Sequence, residues 1–72
     1  MKEFFVGNRV CVRPSARPRL AGRLGTVVVV KRKSPGGPVL TYQVQLDAVP
    51  SRGLTATHAY FGPNDLEPAP DD

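Results

Sequence analysis

The sequence predicts an all-β domain of five short strands curled into a partly open barrel. Apolar and polar residues alternate at period two through Asn8–Arg13 and again through Thr41–Leu46, the pattern of strands buried on one face. The run Thr26-Val27-Val28-Val29-Val30 is β-branched throughout, which disfavours helix and suits a strand with little exposed on either side. Eight prolines and seven glycines punctuate the chain, so that no window of ten or more residues holds an uninterrupted helical apolar period.

In chain order, the first strand turns Val10 and Val12 to one face and Arg9, Cys11 and Arg13 to the other. Pro14 and Pro18 forbid regular pairing, so Pro14–Leu24 reads as a long irregular loop carrying Arg17, Arg19 and Arg23, with Gly22 and Gly25 marking its end. Thr26–Val30 follows as the centre of the sheet. Lys31-Arg32-Lys33 leads into Ser34-Pro35-Gly36-Gly37-Pro38, where Pro35 and then Gly36 supply the chemistry of a type II turn. The next strand sets Tyr42, Val44 and Leu46 inward and Thr41, Gln43 and Gln45 outward. Asp47–Leu54, with Pro50 and Gly53, is a loop. Thr55–Phe61 is a further strand with Tyr60 and Phe61 on opposite faces, Gly62-Pro63-Asn64-Asp65 is a turn, and Leu66–Pro68 pairs briefly. Residues 1–68 are expected to form the domain and 69–72 a disordered acidic tail. The expected core is Val10, Val12, Val27, Val29, Val44 and Leu46, with Tyr42 beside them.

Seventy-two residues hold only one core, and 40% hydrophobic content is ordinary for a folded chain. Cys11 stands alone, so no internal disulfide braces that core, and one Cys with one His does not furnish a four-ligand zinc site. No metal or cofactor is expected. The apolar stretch Phe4-Phe5-Val6 ends at Gly7-Asn8-Arg9, too early for a signal-peptide core or a membrane span, and a lone thiol fits a reducing compartment. A soluble cytoplasmic protein is expected.

Charge is unevenly spread. All ten Lys and Arg lie between Lys2 and Arg52, which less Glu3 and Asp47 leaves +8, whereas the last 20 residues carry Asp65, Glu67, Asp71 and Asp72 and stand at −4. A basic body of this kind points to an anionic partner. Arg9 and Arg13 share a strand face, Arg17, Arg19 and Arg23 ride the first loop, and Lys31, Arg32 and Lys33 lead into the hairpin. In a barrel the first loop and the hairpin tip approach each other, so these eight residues are the candidate phosphate-binding surface.

Two stretches of the chain resemble known families. Phe5-Val6-Gly7-Asn8-Arg9-Val10-Cys11-Val12, followed by Ala21-Gly22-Arg23-Leu24-Gly25-Thr26-Val27, is similar to the KOW-type motif of ribosomal proteins and transcription elongation factors. The same segments, with Tyr42-Gln43-Val44 and Leu66-Glu67-Pro68-Ala69, resemble the C-terminal barrel of nitrile hydratase β-subunits, whose metal belongs to a partner subunit. Both resemblances imply a small five-stranded SH3-like partly open barrel, and fold by itself implies no activity. A third SH3-like family, the plasmid-borne dihydrofolate reductases, presents Val-Gln-Ile-Tyr in a late strand. Thr57-His58-Ala59-Tyr60 stands there instead, so a folate pore is not expected.

No catalytic set is legible. Cys11 lies between arginines that favour its thiolate, but a nucleophile also needs a positioned base, and nothing in the sequence ties His58 to it. Both read as spectators. The expected function is therefore that of a non-catalytic binding module for nucleic acid or another polyanion, held through the basic loops with stacking by Tyr60 or Phe61. The alternative is a protein-interaction or assembly module that docks a partner or a second copy through strand edges or the Pro-rich loop.

Overall fold

A computed structural model describes residues 3–15 and 17–70. Lys2 and the acidic end Asp71-Asp72 lie outside the described residues. The chain forms one antiparallel sheet of five strands, β1 (Arg9–Val12), β2 (Leu24–Arg32), β3 (Val39–Leu46), β4 (Thr57–Phe61) and β5 (Leu66–Pro68), in the spatial order β4-β3-β2-β1-β5. Two short 3₁₀ turns, Pro18–Leu20 and Pro50–Arg52, sit in the first and third connections. β2 is the middle strand, as its β-branched run demands.

The sheet is strongly curled, and chain geometry requires it. β4 and β5 occupy opposite edges, about 19 Å apart if five strands lay flat at their usual spacing. They are joined by Gly62–Asp65 alone, and a chain of that length reaches at most about 17 Å. The curl brings the inward rows together: Val10 and Val12 of β1, Val27 of β2, Tyr42, Val44 and Leu46 of β3, Phe61 of β4 and Leu66 of β5 form one buried cluster with Phe4 and Val39. The edges do not pair with each other, so the sheet stays open.

Local devices set the curvature. Between Val27 and Val29 the β2–β3 register advances two residues on β2 for one on β3, so Val28 is an inserted residue. A bulge of this kind bends the strand and reverses which residues face inward. Val27 is therefore fully buried while Val29 is 37% exposed, and Val30 packs against the core in its place. The expectation that Val29 belongs to the core is corrected by this insertion. A second shift, Lys31↔Thr41 followed by Arg32↔Val39, leaves Leu40 unmatched and exposed.

The turns follow the sequence chemistry. Gly36 has φ 76° and the Gly37 N–H donates to the Ser34 carbonyl at 2.8 Å, the type II turn expected of Pro35-Gly36. At the start of the domain, the Asn8 N–H donates to the Phe5 carbonyl and the Asn8 side-chain oxygen accepts from the Phe5 N–H, with Gly7 at φ 95° between them. Asp65 closes the β4–β5 turn by accepting from the Gly62 N–H at 2.8 Å. Pro68, which has no N–H to offer, sits on the β5 edge where none is needed. Ala69 still donates to the Arg9 carbonyl at 3.2 Å, so backbone bonding runs one residue past β5.

Gly25 has an ordinary φ, and its requirement is space. A side-chain carbon there would lie 2.6 Å from Val44 Cγ1 and 2.7 Å from the Gln45 carbonyl oxygen, so β2 and β3 cannot keep their separation around it.

Two stability measurements check this account. Val27→Ala removes two fully buried methyl groups and should cost roughly 1–3 kcal/mol by urea unfolding, while Val29→Ala should shift stability by less than about 1 kcal/mol. Gly25→Ala should destabilise by roughly 1–3 kcal/mol through overpacking; an unchanged urea midpoint for that variant contradicts the close approach.

Candidate nucleic-acid interface

The eight basic residues singled out in the sequence divide into two groups once their neighbours are known. Arg9 extends across the outer face of the sheet. Its guanidinium donates to Thr26 Oγ1 at 2.8 Å and forms a two-pronged bond with both carboxylate oxygens of Asp47. Arg32 is held between the Gly37 carbonyl, at 2.8 Å, and the Glu3 carboxylate, at 3.0 Å, tying the hairpin to the start of the chain. Arg13 lies 4.0 Å from Glu67 of β5. These three cations face carboxylates and are poorly placed to meet phosphate.

Arg23 departs furthest from expectation. Read in the sequence as a loop cation, it is only 7% exposed, with its guanidinium donating to the Asp47 carbonyl at 2.8 Å and its Nε buried without a partner. The reason lies in strand alternation, which continues back from Val27 and Gly25 to residue 23 and turns it inward. Arg23 holds the β3 end against the β2 start and is withdrawn from the candidate surface.

In the second group, two members, Arg17 and Lys31, both reach Tyr60. Arg17, at the start of the first 3₁₀ turn, crosses to β4, where its guanidinium donates to the Tyr60 carbonyl at 2.6 Å and lies 5.0 Å from the centre of the buried Phe61 ring. Lys31, near the far end of β2, places its ammonium 5.7 Å from the centre of the Tyr60 ring. Tyr60 itself points outward and is 51% exposed, whereas Phe61 and Tyr42 are buried, the latter accepting a hydrogen bond from the Phe4 N–H at 3.0 Å. Of the sequence-stated pair of stacking candidates, only Tyr60 is accessible. Arg19 is exposed on the same loop as Arg17, and Lys33 is exposed at the start of the hairpin. None of Arg17, Arg19, Lys31 and Lys33 meets a carboxylate among the described residues.

Comparison with protein-family models, curated proteins and solved structures finds no match. The residues themselves must carry the functional reading.

For catalysis they offer little. Cys11 is half-buried opposite Leu24 and Glu67, and burial, reinforced by the Glu67 charge, pushes its thiol above the ordinary cysteine value. The effect expected of the flanking arginines is thus outweighed by burial and by Glu67. His58 is exposed on the edge strand β4 opposite Gln45, three strands from Cys11 in the sheet order. Among the described residues no group of three or more His, Cys, Asp or Glu gathers as a metal site, and no helix is long and apolar enough to cross a membrane.

The Arg9–Asp47 pair makes a prediction in pH. The hydrogen bond from Arg9 holds the Asp47 carboxyl below its usual range, with the Arg9 and Arg23 charges reinforcing it. Since the folded value lies below the unfolded one, the pair adds stability above about pH 5 and loses it as pH falls below about 4 through the folded value. Both side chains are half-exposed, so the contribution is modest. Asp47→Asn should lower the urea midpoint modestly at neutral pH and converge with the parent as pH falls below about 4, which flattens the acid limb of the profile.

Proposed function

We propose that this chain is a non-catalytic binding module that holds nucleic acid, or a polyanion of similar charge spacing, through Arg17, Arg19, Lys31 and Lys33. The observation that carries the reading is the meeting of two cationic segments at one residue. Arg17 from the first loop and Lys31 from β2 both converge on Tyr60, although 14 positions separate them in sequence. Their charges stand without a carboxylate partner among the described residues, whereas those of Arg9 and Arg32 are neutralised nearby. Phosphate contacts of this kind position a strand without reading its sequence.

The strand order supports the finer reading of the fold as an SH3-like barrel, with the KOW-type resemblance in the first two strands, and a cytoplasmic location accords with a small basic nucleic-acid module. A second reading, a protein-interaction module, has its own observation: Phe5 and Val6 stand 63% and 66% exposed at the tip of the Gly7 turn, and an apolar pair displayed in this way suits a protein contact.

Salt separates the two. For the nucleic-acid module, log affinity should fall linearly with log salt, and the joint variant Arg19→Ser, Lys31→Ser, Lys33→Ser should make the slope shallower by about 2, since each phosphate contact contributes about 0.7–0.9. Arg13→Ser, beside Glu67, should leave the slope nearly unchanged. Fluorescence anisotropy across a salt series measures both. Binding that ignores salt, or a joint variant that binds like the parent, would transfer the case to the protein-interaction reading.

A further inference from the structure

We infer that the outward face of β2, β3 and β4 takes a single-stranded nucleic acid, with one base stacked on Tyr60 and the neighbouring phosphates held by Lys31 on one side and by Arg17 and Arg19 on the other. This deepens the polyanion reading above and rests on it. The register sets Val29, Gln43 and Tyr60 side by side across three strands, all pointing away from the core. A half-exposed aromatic ring in such a row offers a π-face, and Gln43 beside it offers an amide able both to donate to and to accept from a base edge.

Charge picks out the same spot. Each acid among the described residues is engaged elsewhere: Glu3 with Arg32, Asp47 with Arg9, Asp65 with the Gly62 N–H, and Glu67 beside Arg13. The ring therefore sits in a neighbourhood of uncompensated positive charge. Arg17, Pro18, Arg19 and Leu20 line a cleft in the first loop, and Arg17 is anchored to the Tyr60 backbone. An apolar floor with cations at its rim suits a strand that alternates flat bases with phosphates. A duplex hides its base faces in the stack and would reach only the cations, so the exposed ring selects the single strand.

The test uses the full chain with three probes at low salt: a labelled oligothymidylate, the same strand annealed to its complement, and inorganic polyphosphate. Tyr60→Thr keeps a β-branched residue on the strand and should weaken single-strand binding about tenfold, while Tyr60→Phe should retain it. Duplex and polyphosphate binding should be unchanged in both variants. In the parent, stacking should quench tyrosine emission, and because Tyr42 is buried that signal reports on Tyr60 even if a variant folds poorly. If Tyr60→Thr binds the single strand like the parent with no quenching, or loses all three probes equally, the stacking inference fails and the polyanion reading survives. If the parent binds none of the probes, both fall together.

Discussion

The apolar rows of all five strands are buried against one another within a single sheet, with Cys11 unpaired and no disulfide to brace them. That constraint governs the rest of the structure. The inward side chains of all five strands meet in a single cluster because the sheet folds over on itself, and it folds over because Gly62–Asp65 must span from one edge to the other. The inserted Val28 supplies a bend in the long middle strand, and Gly25 lets β2 approach β3 closely at Val44 and Gln45. The curl also carries the first loop across to β4, which is how Arg17 comes to touch a residue 43 positions away.

The surface is sorted by competition for carboxylates. With more cations than anions on the described surface, pairing is decided by which side chains the sheet places within reach. Arg9 finds Asp47 diagonally across the outer face, Arg32 finds Glu3, and Arg13 lies beside Glu67. Exposed pairs of this kind add little stability, but they cancel charge locally. The cations left without a carboxylate among the described residues include Arg17 and Lys31, both of which reach Tyr60.

The strands, the type II hairpin turn and the central place of the valine run were all legible in the sequence, because each rests on period-two alternation or on the backbone chemistry of Gly and Pro, whereas the close approach at Gly25 depends on the neighbouring strand. What escaped it depends on register. Val29 looked inward only so long as the valine run was taken as unbroken, and four consecutive valines carry no mark of where a bulge falls. Arg23 looked like a loop residue because Pro14 and Pro18 dominate its neighbourhood, yet counting back by twos from Val27 and Gly25 would have turned it inward. The Asp47 pairings, 24 and 38 residues distant in sequence, left no local signal at all. For the candidate surface, residue types were legible and their partners were not, so the eight cations of the sequence reading reduce to four.

The two sheet edges are managed differently, and that difference bears on where contact is made. β5 carries Pro68, and its short length presents few free backbone groups. β4 holds neither Pro nor Lys and would be the natural place for another strand to add. Arg17 intervenes there: by donating to the Tyr60 carbonyl and lying over Phe61 it occupies an acceptor that an incoming strand would need. The same side chain that adds positive charge beside the ring therefore obstructs strand addition along the edge. With that edge partly capped, the outward face of β2, β3 and β4, with Lys31 beside the half-exposed Tyr60 ring, remains the accessible part of this half of the sheet.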